Sequence, residues 1–194
     1  RAPSVTWQGR TYRPFATGAH YVTLLPVPLG KVATDEVLAV KCGRTTSRFS
    51  IPITACTFPE SVLRVDPKFS SAPPPRVKEE NAAIAQAFRG ARRGKLWQDA
   101  FMRPTVGVTT SPFGVKRTFN GQMKSRHRGV DYDGAVGDEI VAANDGVVAL
   151  VANDYYYTGN SVFIDHGDDL FTVYFHMTSI DVKQGDKVKR GQRL

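Results

Sequence analysis

The chain has 194 residues and carries 26 Lys+Arg against 18 Asp+Glu, a formal charge of +8. That length suits one or two domains. A composition of 41% hydrophobic and 23% charged residues excludes wholesale disorder. No apolar run reaches the ~18 residues of a membrane helix, because the stretch 21–29 is interrupted by Pro26 and Pro28. No signal peptide is legible at Arg1, which leaves a cytosolic protein or a processed, mature chain.

The charge is segregated. Residues 1–78 hold 11 basic and 4 acidic groups, residues 89–128 hold 10 and 1, and residues 129–194 hold 5 and 11. A basic front and an acidic rear suit a polyanionic partner and a separate site region, although solvated Lys and Arg alone would also look this way. Neither zinc-finger spacing nor an RRM-type aromatic motif is present, so nucleic acid is not the expected partner. A bacterial envelope is an alternative polyanion.

In chain order, the first 66 residues read as β, with short runs at 5–7, 10–13, 21–25, 37–40 and 49–54 separated by Gly, Pro, Asp and Thr. This pattern predicts a small immunoglobulin-like β-sandwich over residues 1–66. Cys42 and Cys56 end two of its β-like runs. Their spacing fits no zinc pair, and a disulfide between them would contribute roughly 3 kcal/mol. The alternative is two buried thiols. His20 reads as structural or exposed. Residues 67–97 read as linker: Ser70-Ser71-Ala72-Pro73-Pro74-Pro75 as a stiff extended piece, then a helix over 77–91. Its acidic start is Glu79 and Glu80, its basic end Arg89, Arg92 and Arg93, and its apolar stripe Ala83, Ile84, Ala87 and Phe88.

Residues 98–194 return to β texture. Strands are predicted at 106–108, 129–133, 139–142, 146–151, 161–165 and 170–176, broken by Asp133-Gly134, Asn144-Asp145-Gly146 and Gly167-Asp168-Asp169. The end, 182–192, reads as a turn-rich closure. Regular short strands imply an antiparallel β-sandwich or barrel-sandwich. The fold class is therefore mainly β.

Three histidines stand in this second half. In His127-Arg128-Gly129-Val130-Asp131, a His and an Asp four apart could both bind zinc if their donors converged. A straight strand would separate their Cα atoms by ~13 Å, so convergence requires a bend, and Gly129 permits one. His176 punctuates the apolar run Thr172-Val173-Tyr174-Phe175-His176-Met177, and His166 at a hairpin tip reads as structural. HExxH, GxSxG and P-loop motifs are absent.

Taken together, residues 111–192 resemble the M23 (lysostaphin/LytM-type) zinc metallopeptidases of bacterial cell walls. The matching stretches are Ser111-Pro112-Phe113-Gly114, Asn120-Gly121, His127-Arg128-Gly129-Val130-Asp131-Tyr132, Ala142-Ala143-Asn144-Asp145-Gly146-Val147-Val148, Gly159-Asn160-Ser161-Val162, Ile164-Asp165-His166-Gly167, Tyr174-Phe175-His176-Met177 and 182–192. The resemblance implies that His127 and Asp131 are zinc ligands and that His176 is a catalytic histidine. It implies a further His-x-His pair, the second His being the third zinc ligand, beyond Leu194. The expectation is accordingly a peptidase domain lacking its C-terminal part, with a C-terminal fragment of the same protein as the partner that completes the fold. A short, inactive form is the competing reading. An exposed sheet edge and the retention of His127, Asp131 and His176 favour incompleteness.

The function implied is a zinc-dependent endopeptidase hydrolysing peptide cross-links of peptidoglycan, periplasmic or secreted. The zinc would activate water and a histidine would serve as base. The alternative is a degenerate relative that binds the wall or regulates another hydrolase. A biotinyl/lipoyl-like carrier is disfavoured: Gly185-Asp186-Lys187-Val188 and Gly191-Gln192 recur there, yet no lysine sits in a recognisable modification turn.

Overall fold

The computed structural model describes residues 2–64 and 74–194. The chain is mainly β, with antiparallel sheets and one helix among the described residues. It divides into two compact units. The first holds the described residues up to Arg64 together with Phe113–Gly129; the second holds the described residues from 74 to Pro112 together with Val130–Leu194. Among the described residues, no helix is long and apolar enough to cross a membrane.

In the first unit, β1 (Ser4–Trp7), β2 (Arg10–Tyr12), β5 (Thr34–Cys42) and β6 (Thr45–Ile53) form a sheet in the order β2-β1-β5-β6. Strand β1 alternates: Val5 and Trp7 are buried and Thr6 is exposed, the period of a strand with one covered face. The Trp7 indole donates to the Pro26 carbonyl at 2.8 Å. Strands β3 (Phe15–Thr17) and β4 (His20–Val22) form a separate hairpin, on which His20 is exposed.

A third sheet joins β7 (Glu60–Leu63), β9 (Lys116–Phe119) and β10 (Gln122–Arg126) in the order β10-β9-β7. The β9–β10 turn is Asn120-Gly121, with φ of 49° and 80°, the left-handed pair that a two-residue hairpin turn favours. Strand β7 runs parallel to β9, Glu60 opposite Lys116. This strand was not expected, because its partner lies more than fifty residues away and leaves no local signal.

The cysteine expectation is corrected. Cys42 and Cys56 are both free and both exposed, neither bridged nor buried. Cys42 pairs with Thr45 at one end of the β5–β6 hairpin, whereas Ile53 pairs with Thr34 at the other. Eight residue steps at about 3.3 Å put those ends about 26 Å apart. Cys56 follows the far end, and a disulfide needs Cα atoms within about 7 Å.

The second unit contains helix α1 (Arg76–Arg89), close to the predicted span. Residues 70–73 of the expected stiff linker lie outside the described residues. Glu79 stands in the first turn of α1 and Arg89 in the last, and Gly90 ends the helix with backbone hydrogen bonds to the last carbonyls. Strands β12 (Gly146–Tyr155), β13 (Gly159–Asp165), β14 (Phe171–Met177) and β15 (Lys187–Val188) form one antiparallel sheet, ordered β14-β13-β12-β15.

Every residue from Ser161 to Asp165 is buried. Val162 and Ile164 join a core with Val148, Tyr174, Met177, Val182, Val188 and Leu194. Phe163 belongs to a second cluster with Leu150 and Ala152, against which Ile84 and Ala87 of α1 pack. Phe88 adds edge-to-face contacts with Phe163 and Phe171. The predicted helical stripe thus faces the sheet.

Two strand expectations shift. In place of 106–108, β8 is Thr109–Ser111, and Val106 and Val108 are exposed. It pairs with β11 (Asp131–Tyr132). The run 139–142 contributes only an isolated bridge, Val141 to Arg193.

His166 is fully buried, and its surroundings determine its protonation. The Ala143 N–H donates to Tyr174 Oη at 2.8 Å, Tyr174 Oη meets Thr172 Oγ1 at 2.9 Å, and Thr172 Oγ1 meets His166 Nε2 at 2.8 Å. At the other side, His166 Nδ1 lies 2.6 Å from the Asp145 carbonyl. An amide donor at one end and a carbonyl acceptor at the other direct every proton one way: Tyr174 donates to Thr172, Thr172 to Nε2, and Nδ1–H to Asp145. A protonated ring would reverse the chain and leave one hydroxyl hydrogen without an acceptor. Burial accordingly lowers the His166 pKa from the ordinary 6.5, against the opposing influence of the Asp145 carbonyl. The Asp145 carboxylate is held low chiefly by the Arg190 N–H and then by Lys189 Nζ, which lies 2.9 Å away.

Two outcomes are expected. Both thiols should react with a thiol reagent in the native, unreduced protein; two unreactive cysteines would contradict the free, exposed geometry. Because the folded pKa of His166 is depressed, the unfolded chain takes up the proton first. Stability should therefore be fully present above pH 6.5 and decline as pH falls below it, before Asp145 contributes any loss below about its ordinary 3.8. Urea midpoints measured from pH 8 to pH 5 should fall in the wild type and fall less in His166→Gln.

Candidate functional site

His176 lies near the end of β14, where the strand does not run regularly. Tyr174 pairs with Val162 and Met177 pairs with Asn160, so Phe175 and His176 together oppose Ser161. This is a β-bulge. His176 has φ of 59°, a left-handed conformation uncommon for a residue with a Cβ. Its N–H donates to the Thr158 carbonyl at 3.0 Å.

The bulge decides which way the ring faces. In a regular strand Tyr174 and His176 would share one face, and Met177 would take the other. The extra residue instead lets Tyr174 and Met177 both enter the core, at 6% and 7% exposure, while Phe175 and His176 are exposed. Gly159 sits against the imidazole: a Cβ there would lie 3.3 Å from His176 Nδ1, and the Gly159 φ of +58° further disfavours any side chain.

The preceding hairpin has a second irregularity. Ala152 pairs with Ser161 and Tyr155 with Gly159, so Asn153 and Asp154 together oppose Asn160, and Asp154 has φ of 52°. Helix α1 holds the tip of this hairpin. The Tyr156 N–H donates to Glu80 at 3.0 Å, and Arg76 lies 3.5 Å from both Glu80 and Asp154. Tyr156 and Tyr157 are exposed at the tip with their rings edge to face.

Asp131 opens β11, opposite Ser111, and is exposed. Thr110 is the extra residue of a bulge in β8, and its hydroxyl donates to the Asp131 carbonyl at 3.3 Å. Arg103 lies over the ring of the adjoining Tyr132, 4.5 Å from its centre. His127 belongs to the first unit and follows β10. Its N–H donates to the Val115 carbonyl, and its own carbonyl accepts from Gly114. The ring is half-buried, and the backbone bends at Gly129.

Asp131 and His176 therefore lie in the second unit and His127 in the first. Imidazole and carboxylate donors suit zinc. Among the described residues, however, no three His, Cys, Asp or Glu side chains gather into a group able to hold a metal ion. The two predicted ligands do not by themselves make a metal site. Sequence reasoning missed the part played by Asn160 and by the bulges on either side of it. Gly159-Asn160 stood out only as part of a resemblance, because the bond pattern that gives it meaning is set by strand register.

Residues 125–194 match the profile of Peptidase family M23. The chain is 43% identical over 68 residues to the Vibrio cholerae peptidoglycan DD-endopeptidase ShyA, covering 35% of this chain and 16% of that protein. Its identity with the Vibrio cholerae peptidoglycan DD-endopeptidase ShyC is 36% over 107 residues, 53% of this chain and 24% of that one. It is also 33% identical over 95 residues to the murein hydrolase activator NlpD of Salmonella dublin, 49% of this chain and 23% of that one. The chain thus spans a quarter or less of the length of these curated relatives. A crystal structure of a putative peptidase M23 from Pseudomonas aeruginosa shares the fold, with a TM-score of 0.73 and 24% identity over 100% of this chain and 74% of that one. The similarity to peptidase family M23 thus rests on residues 125–194.

Proposed function

We propose that this chain is part of a zinc-dependent endopeptidase that hydrolyses peptide cross-links of bacterial peptidoglycan in the cell envelope, with His176 as the catalytic histidine. The observation that carries the reading is His176 itself: an exposed imidazole in an M23-like segment, turned outward by a bulge in a left-handed conformation. Strain of this kind concentrates at functional sites. The similarity to two peptidoglycan DD-endopeptidases supports the substrate class.

An exposed imidazole can accept a proton from attacking water or donate a hydrogen bond to a developing oxyanion. His127 and Asp131 are the proposed zinc ligands, with a further protein ligand supplied from outside the described residues. Zinc bound there would supply Lewis acidity toward the scissile carbonyl. The basic segment 89–128 is proposed to face the anionic wall. Such attraction is screened by salt, so wall binding should weaken as salt is raised.

A second reading has its own support. The likeness to the activator NlpD favours a non-catalytic regulator of another hydrolase.

Metal analysis and turnover of the full-length protein separate the two. For the peptidase, His176→Ala should retain zinc and lower turnover of cross-linked muropeptides by about 10²–10⁴-fold, while His127→Ala should lose both zinc and turnover. Near-normal turnover in His176→Ala would remove His176 from the mechanism. A full-length protein with neither zinc nor turnover that stimulates a separate murein hydrolase would establish the regulator.

A further inference from the structure

We infer that Asn160 is a positioning residue for His176, its carboxamide tying the β14 bulge that turns the imidazole outward to the irregular end of β12. The inference rests on the reading of His176 as the catalytic histidine. Asn160 lies on β13, between two irregular neighbours. On one side Asn153 and Asp154 of β12 oppose it. On the other it pairs with Met177, the residue that closes the bulge containing His176.

Its side chain bonds both neighbours. The Asp154 N–H donates to Asn160 Oδ1 at 3.0 Å, and Asn160 Nδ2 donates to the Met177 carbonyl at 3.1 Å. A backbone N–H can only donate and a carbonyl can only accept, so the partners determine which way the amide points. Only a group with an acceptor and a donor at carboxamide spacing satisfies both.

The residues bonded or adjacent to those bonds are the strained ones. Asp154 and His176 have φ of 52° and 59°. Such conformations are costly and persist only where the surroundings over-determine them. For His176 the upstream restraint is its own N–H bond to the Thr158 carbonyl, which also accepts from Ser161 Oγ at 2.7 Å. The downstream restraint is the Asn160 bond at Met177. Without it the segment 175–177 is free to rejoin the regular ladder, and restoring the two-residue alternation would swing His176 to the opposite face.

The test compares wild type, Asn160→Ala and Asn160→Asp. Asp is nearly isosteric and keeps the acceptor toward Asp154, but it loses the donor and sets a carboxylate oxygen against the Met177 carbonyl. In the full-length protein, both variants should lower kcat on cross-linked muropeptides by about 10²-fold, with KM within about twofold and zinc content unchanged. In the 194-residue chain, NMR should show the left-handed signature of His176 (carbon shifts and the φ-dependent amide coupling) lost in both variants. If Asn160→Ala does not fold, Asn160→Asp decides alone. Unchanged kcat, or a kcat loss with the His176 signature intact, would overturn the inference. Should the wild type cut no muropeptide, the catalytic reading fails separately, and the NMR signature of Asn160→Asp decides whether Asn160 holds His176.

Discussion

Burial of strand β13 on both faces is the constraint on which the second unit depends. Val162 and Ile164 face one core, and Phe163 faces the other, beneath helix α1. Each such side chain contributes about 1.5–3 kcal/mol when fully buried. A slip of one residue would exchange all three between cores of different shape and lining. Register is therefore strongly specified in the middle of β13, where the neighbouring β12 takes up an extra residue, Ala149, without disturbing the alternation of β13 itself. One end carries Asp165 and His166, and the other carries Gly159 and Asn160.

The two histidines beside these ends show how environment separates one residue type into two uses. His166 is enclosed, with a partner on each ring nitrogen and a chain of hydroxyls that admits the neutral ring. Its contribution is to packing and to the pH range over which the fold is stable. His176 stands on the next strand of the same sheet with its ring exposed, its backbone strained, and a glycine where any other residue would press on the imidazole. Enclosure by fixed polar partners makes a histidine structural. Exposure combined with enforced geometry leaves its ring available for chemistry.

Much of this was legible in the sequence. The mainly β class, the position of α1, and the strands around 146–151, 161–165 and 170–176 followed from alternation, helical spacing and turn residues. His166 read as structural from its turn setting, and it is buried with the Asp145 carbonyl and the Thr172 hydroxyl on its two ring nitrogens. Three features were not legible. The parallel pairing of β7 with β9 is non-local. The placement of Cys42 and Cys56 depends on which hairpin end each falls at, and loop length does not encode that. The bulges depend on counting residues across strand pairs, which a single strand does not display. In hindsight Tyr174 and Met177 were the clue: two large side chains three apart cannot both enter one core from a regular strand.

That same pair explains why the strain at His176 is tolerable. A left-handed histidine costs on the order of 1–3 kcal/mol. A regular β14 would avoid the cost but would turn either Tyr174 or Met177 out of the core and bring His176 in. Burying a Met side chain contributes about 1.5–3 kcal/mol, and expelling Tyr174 would also break its bonds to Ala143 and Thr172, on which the neutral state of His166 relies. The bulge is thus close to neutral or favourable for folding, and the imidazole is turned outward by the same residue count that fills the core. Packing and the exposed site do not compete here: the side chains that stabilise the sheet favour the same bulge that the Asn160 bond fixes at Met177.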